Sequence, residues 1–451
     1  MASPCSSRTT GSRAVPNVPS ISFITLGCPK NEVDTDRMRA AVIASAYMLS
    51  DDIDDADVVV VNTCSFIKDA TEESLATVLD IAADWLPERT GRHLIVAGCM
   101  PARYGEELTT ELPEVAAFVP VGDEVELLNI VERLTGVTSM RQSDGTSPRT
   151  ATRTLEGFSA YVQVSDGCHR DCTYCTIPSI RGPYTSRPIQ EIVDEAIELV
   201  ALGAREIVLI GQDTTAYGRD LDGPETLADV VRAVAAVPDL TWLRLMYVQP
   251  DGVTDELLTA IAENGNVVRY LDLPLQHAAK PVLRRMKRSG DSAAFLALLG
   301  KVRAKLPDVV LRTTMIAGFP GETTSDVREL QHFLDQARFD YVGVFVYSPE
   351  EGTSAAEMPD QVPLRTRRAR AQRLRDQADE IGFQRAAARV DTVVQVLVEG
   401  TDPDDDVTVG RWRGQAPEID GVVLLDRGTP GEIVSVKIED SLGYDLEGEV
   451  E

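Results

Sequence analysis

Three closely spaced cysteines constrain the chemistry of this 451-residue chain more than any other feature. The segment SDGCHRDCTYC places Cys168, Cys172 and Cys175 in one loop, directly after a predicted strand. In a large chain without a secretory signal, grouped cysteines favour metal binding over disulfides. A cubane cluster has four irons, so three thiolates would leave one iron open to a small molecule, as catalytic zinc sites keep one position open.

Two other interpretations of this triplet are open. A zinc ion could take His169 as its fourth ligand, although the position of His169 next to Cys168 makes joint chelation awkward, and no later cysteine exists to complete a four-cysteine site. The three thiols could also be unrelated core residues, which their grouping in a polar, glycine-containing loop disfavours.

A second set of cysteines, Cys28, Cys64 and Cys99, follows three apolar runs: FITLGC, VVVVNTC and LIVAGC. Their spacings of 36 and 35 residues correspond to one strand and one helix apiece. Strands of a parallel sheet end at a common carboxyl edge, where ligands bind, so we expect the three thiols to converge in space. Alternatively, each is a small apolar residue that fills a strand end. The seventh cysteine, Cys5, is expected to take no part.

The chain divides into segments of different pattern, which together predict a multidomain α/β fold. Residues 1–20 are predicted to be a disordered tail, and 137–153 a polar linker. Residues 21–136 alternate strands with amphipathic helices, which predicts a flavodoxin-like parallel sheet. Residues 154–388 hold six candidate strands, interleaved helices and a terminal connecting helix, which predicts a partial, TIM-like (β/α)6 barrel. Residues 389–451 carry short strands separated by turns, which predicts a small antiparallel β-barrel.

The formal net charge of −28 bears on possible partners. Phosphates repel so acidic a chain, so nucleic-acid contact is expected to be incidental, with the basic runs 283–290 and 365–375 as the segments that could make it. From Arg389 onward there are sixteen Asp or Glu and five Arg or Lys, which suits a basic protein partner unless the acids merely solvate the barrel. No run of eighteen apolar residues and no secretory signal occurs in the sequence, which predicts a cytoplasmic protein without membrane contact.

The spacing of the triplet, with the aromatic Tyr174 before its last cysteine, resembles the radical S-adenosylmethionine superfamily. That resemblance implies a 4Fe-4S cluster that binds and reductively cleaves S-adenosylmethionine. It also implies cofactor contacts elsewhere: Gly211, Gln212 and Asp213 near the methionine end, and Thr314 with the segment AGFPGE, including Gly318 and Glu322, near ribose and adenine. The glycines could equally be turn residues.

Two cysteine triads followed by a β-barrel resemble the methylthiotransferases, from about residue 21 to the end of the chain. The motifs that are similar to the branch acting on ribosomal protein S12 are LGCPKNEVDTDRM (26–38), SIRGPYTSRP (179–188), GQDTTAYG (211–218), PLQHA (274–278), YSPEEGTSAAEMPDQVP (347–363) and GRWRGQAPEIDG (410–421).

This second resemblance implies an enzyme that transfers a methylthio group to the β-carbon of an aspartate in S12. It implies two 4Fe-4S clusters, one on each triad, and a C-terminal barrel of the TRAM type, which is OB-like. One S-adenosylmethionine would methylate a sulfur at the N-terminal cluster, and a second would be cleaved to remove hydrogen from the substrate. A flavodoxin or ferredoxin would supply the electrons. The alternative is the same chemistry on a tRNA adenosine.

Overall fold

The computed structural model describes residues 18–138, 153–402 and 407–451. Most of the predicted tail, including Cys5, and most of the predicted linker lie outside these residues. Within the described ranges, no helix combines the length and the apolar character needed to cross a membrane.

The N-terminal domain is a parallel sheet covered by helices. Its strands are β1 (Ser20–Thr25), β2 (Met48–Leu49), β3 (Val58–Thr63), β4 (His93–Gly98) and β5 (Ala117–Pro120), and its helices are α1 (Pro29–Ile43), α2 (Lys68–Asp80), α3 (Cys99–Tyr104), α4 (Glu107–Glu111) and α5 (Leu127–Thr135). The order β2-β1-β3-β4-β5 is that of flavodoxin-like sheets. Apolar cores form on both faces, which is why β3 is buried along its whole length. The predicted sheet is confirmed, and the short β2 and β5 are additional strands that the sequence pattern did not reveal.

The central domain winds six parallel strands in sequential order into a partial barrel. These are β6 (Ser159–Gln163), β9 (Glu206–Ile210), β10 (Trp242–Leu245), β11 (Tyr270–Gln276), β12 (Val310–Ala317) and β13 (Tyr341–Val346), with a short pair of β7 (Ser165–Asp166) and β8 (Thr185–Ser186) beside β6. They form two three-stranded sheets, β6-β9-β10 and β11-β12-β13, joined where the backbone of Leu243 on β10 pairs with Val267 just before β11. All six strands were predicted from the sequence.

Helices pack on the outer face of this barrel. They are α7 (Ile189–Leu202), α8 (Leu227–Ala235), α9 (Asp255–Glu263), α10 (Lys280–Arg285), α11 (Ser292–Lys305) and α12 (Thr324–Ala337). The short helix α6 (Ile177–Arg181) instead contacts α3 of the N-terminal domain. Along β12, Leu311, Met315 and Ala317 are buried in the same core as residues of α11 and α12. The alternate residues of β12, including Thr314, are half-buried and lie on the opposite, inner face.

A long helix, α13 (Leu364–Ala387), leads to the C-terminal barrel, as predicted. Its strands are β14 (Val393–Thr401), β15 (Thr408–Trp412), β16 (Val423–Leu425), β17 (Ile433–Leu442) and β18 (Asp445–Val450), and they close in the order β14-β15-β16-β18-β17. The pairings are antiparallel except for β16 with β18, which is parallel. The small closed β-barrel is confirmed.

Buried ion pairs fix the small barrel against the amino-terminal ends of the central strands. Glu206, the first residue of β9, is fully buried and accepts hydrogen bonds from Arg244 (2.7 Å) and from Arg411 of the small barrel (2.8 Å). Beside it, the hydroxyl of Tyr270 donates to Asp420 at 2.5 Å. The small barrel therefore closes one end of the central barrel, and the carboxyl ends of the strands, where barrel active sites form, remain for other elements.

Replacing Glu206 by Gln should destabilise the protein strongly, because two buried guanidiniums would lose their shared charge. We expect the free energy of unfolding to fall by about 3–5 kcal/mol, measured by urea denaturation with tryptophan fluorescence. The control is Glu399→Gln, which removes a half-exposed partner of the same Arg411 and should cost about 1 kcal/mol or less. Equal losses in the two variants would contradict this role for Glu206.

Candidate metal centres between the domains

The N-terminal cysteines lie at the carboxyl edge of the first sheet. Cys28 caps the start of α1, Cys64 directly follows β3, and Cys99 is the first residue of α3, directly after β4. Since β1, β3 and β4 are neighbours in the sheet, the structure brings these thiols together, and each lies within electrostatic range of the other two. Cys64 and Cys99 are buried, whereas Cys28 is half-buried.

Two glycines permit this close approach. Gly27 has φ +108°, and a Cβ atom there would lie 2.5 Å from the Cβ of Cys64. Gly98 has φ +92°, and a Cβ atom there would lie 2.2 Å from the side-chain oxygen of Asn62. Any larger residue at either position would push apart the turns that carry the cysteines.

Asn31 connects the turns. Its side-chain nitrogen donates to the carbonyl oxygens of Leu26 (2.8 Å) and Thr63 (2.9 Å). Its side-chain oxygen lies 3.8 Å from the sulfurs of both Cys28 and Cys99. Asn31 is one helical turn after Cys28, on the same side of α1, a spacing that could have pointed to it from the sequence.

The central triplet lies in the loop that follows β7. The backbone N–H of Arg170 donates to the sulfur of Cys168 at 3.4 Å, and the guanidinium of Arg288 lies 3.8 Å from the sulfur of Cys172. Arg288 belongs to the basic run 283–290, and its other contacts are with Gln249 and the carbonyl oxygen of Pro274. At Arg288, therefore, this run is directed at the triplet rather than at solvent.

The chemistry of both triads fits iron–sulfur clusters. Burial raises the pKa of Cys99 and of Cys175 to about 12, so these thiols are neutral at pH 7 unless a metal withdraws the proton. Among the described residues, no three His, Cys, Asp or Glu side chains are close enough together to hold a single metal ion. Cysteine thiolates are the usual ligands of 4Fe-4S clusters, and three of them leave one iron without a protein ligand. His169 is exposed, and its ring lies 6.4 Å from that of Tyr184, which does not support it as a zinc ligand.

The first set of predicted cofactor contacts lies beside the triplet, after β9. Asp213 is buried and accepts a hydrogen bond from Arg170 of the triplet loop at 2.5 Å. Gln212 donates to Asp166 at 3.1 Å, and its buried side-chain oxygen has no hydrogen-bond partner among the described residues. A Cβ atom at Gly211 would lie 2.8 Å from the hydroxyl of Ser165. An unpaired buried acceptor is the kind of group that a ligand satisfies.

The second predicted set lies at and beyond the end of β12. Thr314 is on the inner face of the barrel. Glu322 is fully buried, and its carboxylate accepts from the backbone N–H of Gly318 (2.8 Å) and from Arg370 (2.8 Å), with His277 at 3.5 Å. The chain itself thus engages both oxygens of Glu322, which shapes the AGFPGE loop. These cofactor contacts remain predictions.

The two triads approach each other across the domain boundary through Arg181. This residue ends α6 in the central domain, is 9% exposed, and donates to Asp34 (2.8 Å) and Asn31 (3.2 Å) of the N-terminal domain. The hydroxyl of Thr176, next to Cys175, donates to the carbonyl oxygen of Phe66, two residues after Cys64, at 3.0 Å. Nothing in the sequence pattern pairs residues so far apart in the chain, so this role of Arg181 was not predicted.

The ammonium of Lys30 also crosses this boundary. It lies 3.3 Å from the centre of the Tyr247 ring, at the end of β10. Burial lowers the pKa of Lys30 to about 8, against the opposing effect of Cys28.

Three family models match successive segments of the chain. Residues 20–120 match the uncharacterized protein family UPF0004, 162–334 the radical SAM superfamily and 390–450 the TRAM domain. The chain is 44% identical to the ribosomal protein uS12 methylthiotransferase RimO of Geobacter sulfurreducens over 439 residues, which is 95% of this chain and 98% of that protein. It is 43% identical to the protein of the same name from Synechococcus sp. (strain RCC307), over 96% of this chain and 90% of that one.

Solved structures with a similar fold are more distant in sequence. The radical S-adenosylmethionine methyltransferase TsrM from Kitasatospora setae superimposes with a TM-score of 0.53 at 12% identity, covering 75% of this chain and 74% of that one. The cobalamin-dependent S-adenosylmethionine radical enzyme OxsB gives a TM-score of 0.51 at 13% identity, over 81% and 56% of the two chains. At this identity the similarity shows the fold alone.

Replacing Gly27 by Ala should remove the N-terminal cluster, because the new methyl group would overlap Cys64. We expect the iron content of the anaerobically reconstituted protein to fall from about eight to about four per chain. The control is Gly91→Ala, since Gly91 has φ +93° with no atom near its Cβ position and so carries the backbone strain without the overlap. About eight irons in the Gly27 variant would show that the close approach is not required.

Proposed function

The chain belongs to the ribosomal protein uS12 methylthiotransferases, and from that membership we propose that it transfers a methylthio group to the β-carbon of an aspartate in ribosomal protein S12. Its cofactors are S-adenosylmethionine and two 4Fe-4S clusters, which when bound supply radical hydrogen abstraction and a methylthio group. We place its action in the cytoplasm, where a flavodoxin or ferredoxin would supply the electrons.

We assign the two tasks to the two triads. Cys168, Cys172 and Cys175 would hold the cluster at which S-adenosylmethionine is cleaved, since Gly211, Gln212 and Asp213 lie beside them. Cys28, Cys64 and Cys99 would hold the cluster that delivers sulfur. The observation that carries this assignment is the hydrogen bond from Arg170 to Asp213, because segment 211–213 thereby contacts the loop of the central triad. The contact of Arg181 with Asp34 and Asn31 joins the two triads across one domain boundary.

The residues around each triad have supporting roles in this proposal. Arg288 would compensate the negative charge of the central cluster through Cys172, and the Arg170–Asp213 pair would hold the loop in place. On the other side, Asn31 would orient Cys28 and Cys99. Thr314, Gly318 and Glu322 would shape the surface for the nucleoside part of the cofactor.

The charge of the small barrel supports a basic protein as substrate. Arg411 is buried against Glu206 and Glu399 and so presents no charge to a partner. On the exposed side, Asp440 and Glu447 lie directly opposite each other across β17 and β18. Like charges in such a pair destabilise a sheet, and a basic partner bound there would compensate them. A tRNA would be repelled by this surface.

The substrate is tested by incubating the reconstituted enzyme with S12 and, separately, with tRNA, followed by mass spectrometry of both. We expect S12 to gain the mass of a methylthio group at one aspartate and tRNA to stay unmodified. Methylthiolated tRNA with unmodified S12 would overturn the proposed substrate and leave the chemistry standing.

The division of labour is tested by replacing Cys28, Cys64 and Cys99 together with Ala. Because the central triplet is intact, we expect cleavage of S-adenosylmethionine to 5′-deoxyadenosine to continue while methylthiolated S12 disappears. The matched variant, with Cys168, Cys172 and Cys175 replaced, should lose both products. Methylthiolation by the first variant would show that the N-terminal site does not deliver the sulfur.

A further inference from the structure

Lys30 is a buried cation whose ammonium forms no ion pair or hydrogen bond with an anionic side chain of the described residues. It is 7% exposed, and no hydrogen bond or ion pair joins its side chain to the described part of the chain. Its one close contact is the face of the Tyr247 ring. A cation–π contact offsets only part of the cost of burying an ammonium.

The carboxylates nearest to Lys30 are engaged by other groups. Asp166 binds Gln212 and the backbone N–H of Gly167, with Arg181 at 3.5 Å. Asp272 binds Arg312 at 3.2 Å and the backbone N–H of Tyr247 at 3.1 Å. Cys28 is the other negative group whose charge acts on Lys30, and it would be a ligand of the N-terminal cluster. The ammonium of Lys30 is therefore available to bind an anion that is not part of this chain.

Tyr247, which contacts Lys30, is held in a strained conformation. Its φ is +58°, in the left-handed region that bulky residues rarely adopt. The hydroxyl of Thr214 donates to its carbonyl oxygen at 3.0 Å, and its N–H is held by Asp272. Strain of this kind persists where the surroundings fix it, and it is concentrated at ligand sites.

The position of Lys30 indicates which anion could bind to it. Lys30 is two residues from Cys28, and Tyr247 lies at the carboxyl end of β10, on the side of the barrel where Gln212 and the triplet lie. An anion bound there would lie between the two proposed clusters. The side-chain carboxylate of an aspartate is bonded directly to the β-carbon, so a site that binds the carboxylate also positions the β-carbon.

We infer that Lys30 binds the carboxylate of the substrate aspartate and selects an acidic side chain for methylthiolation. This inference rests on the proposed function. An ammonium that donates charge-assisted hydrogen bonds to the carboxylate would favour aspartate over asparagine, which has the same shape and no charge.

The test compares S12 with a form in which the target aspartate is replaced by asparagine. For the wild-type enzyme we expect kcat/KM to be about 10- to 100-fold higher with aspartate. Lys30→Met should abolish this preference by lowering kcat/KM for the aspartate form alone, with about eight irons per chain retained. Lys30→Arg, which keeps the charge, should retain a preference. The control is Lys68→Met, because Lys68 is an exposed lysine of the same domain.

Different results would overturn different parts of the account. A Lys30→Met enzyme that keeps the wild-type preference, or that loses activity on both forms in equal proportion, would overturn the role of Lys30. Loss of iron in Lys30→Met and Lys30→Arg alike would assign Lys30 to the N-terminal cluster site and equally overturn it. If wild-type enzyme leaves S12 unmodified, the proposed function fails first and the inference fails with it.

Discussion

A guanidinium buried at a domain boundary holds the functional region together. A buried charge must be paired, since breaking such a pair costs about 3–5 kcal/mol. Arg181 of the central domain satisfies this requirement with Asp34 and Asn31 of the N-terminal domain. Because Asn31 contacts two of the N-terminal thiols and Arg181 ends the short helix just after Cys175, this interaction fixes one cysteine triad relative to the other. Sulfur delivery and radical generation can act on one substrate atom only if that relation is maintained.

The opposite end of the central barrel is occupied by structural interactions. Glu206 lies between Arg244 and Arg411, and the small barrel thereby covers the amino-terminal ends of the strands. In this arrangement Arg411 of the small barrel is paired inside the protein, whereas acidic residues such as Asp440 and Glu447 face outward. These ion pairs fix the small barrel at the end of the central barrel that lies opposite the two cysteine triads.

Much of the fold and part of the site could be predicted from the sequence, because they depend on local pattern. Runs such as VVVVNTC specify a buried strand that ends in a cysteine, and the repeat of one strand and one helix places successive cysteines at one sheet edge. The short strands β2 and β5 could not be recognised in the same way, because two and four residues carry too little pattern. Arg181 with Asp34, and Lys30 with Tyr247, could not be predicted, since these pairs depend on how two domains pack.

The most direct test of the central claim is the electron paramagnetic resonance spectrum of the fully reduced enzyme. Two clusters held on opposite sides of one domain boundary should interact magnetically. Each of the two triad variants keeps one cluster, so the sum of their spectra represents two clusters that do not interact. We expect the wild-type spectrum to be broader than that sum. A wild-type spectrum that equals that sum, or that contains the signal of one cluster alone, would contradict the account.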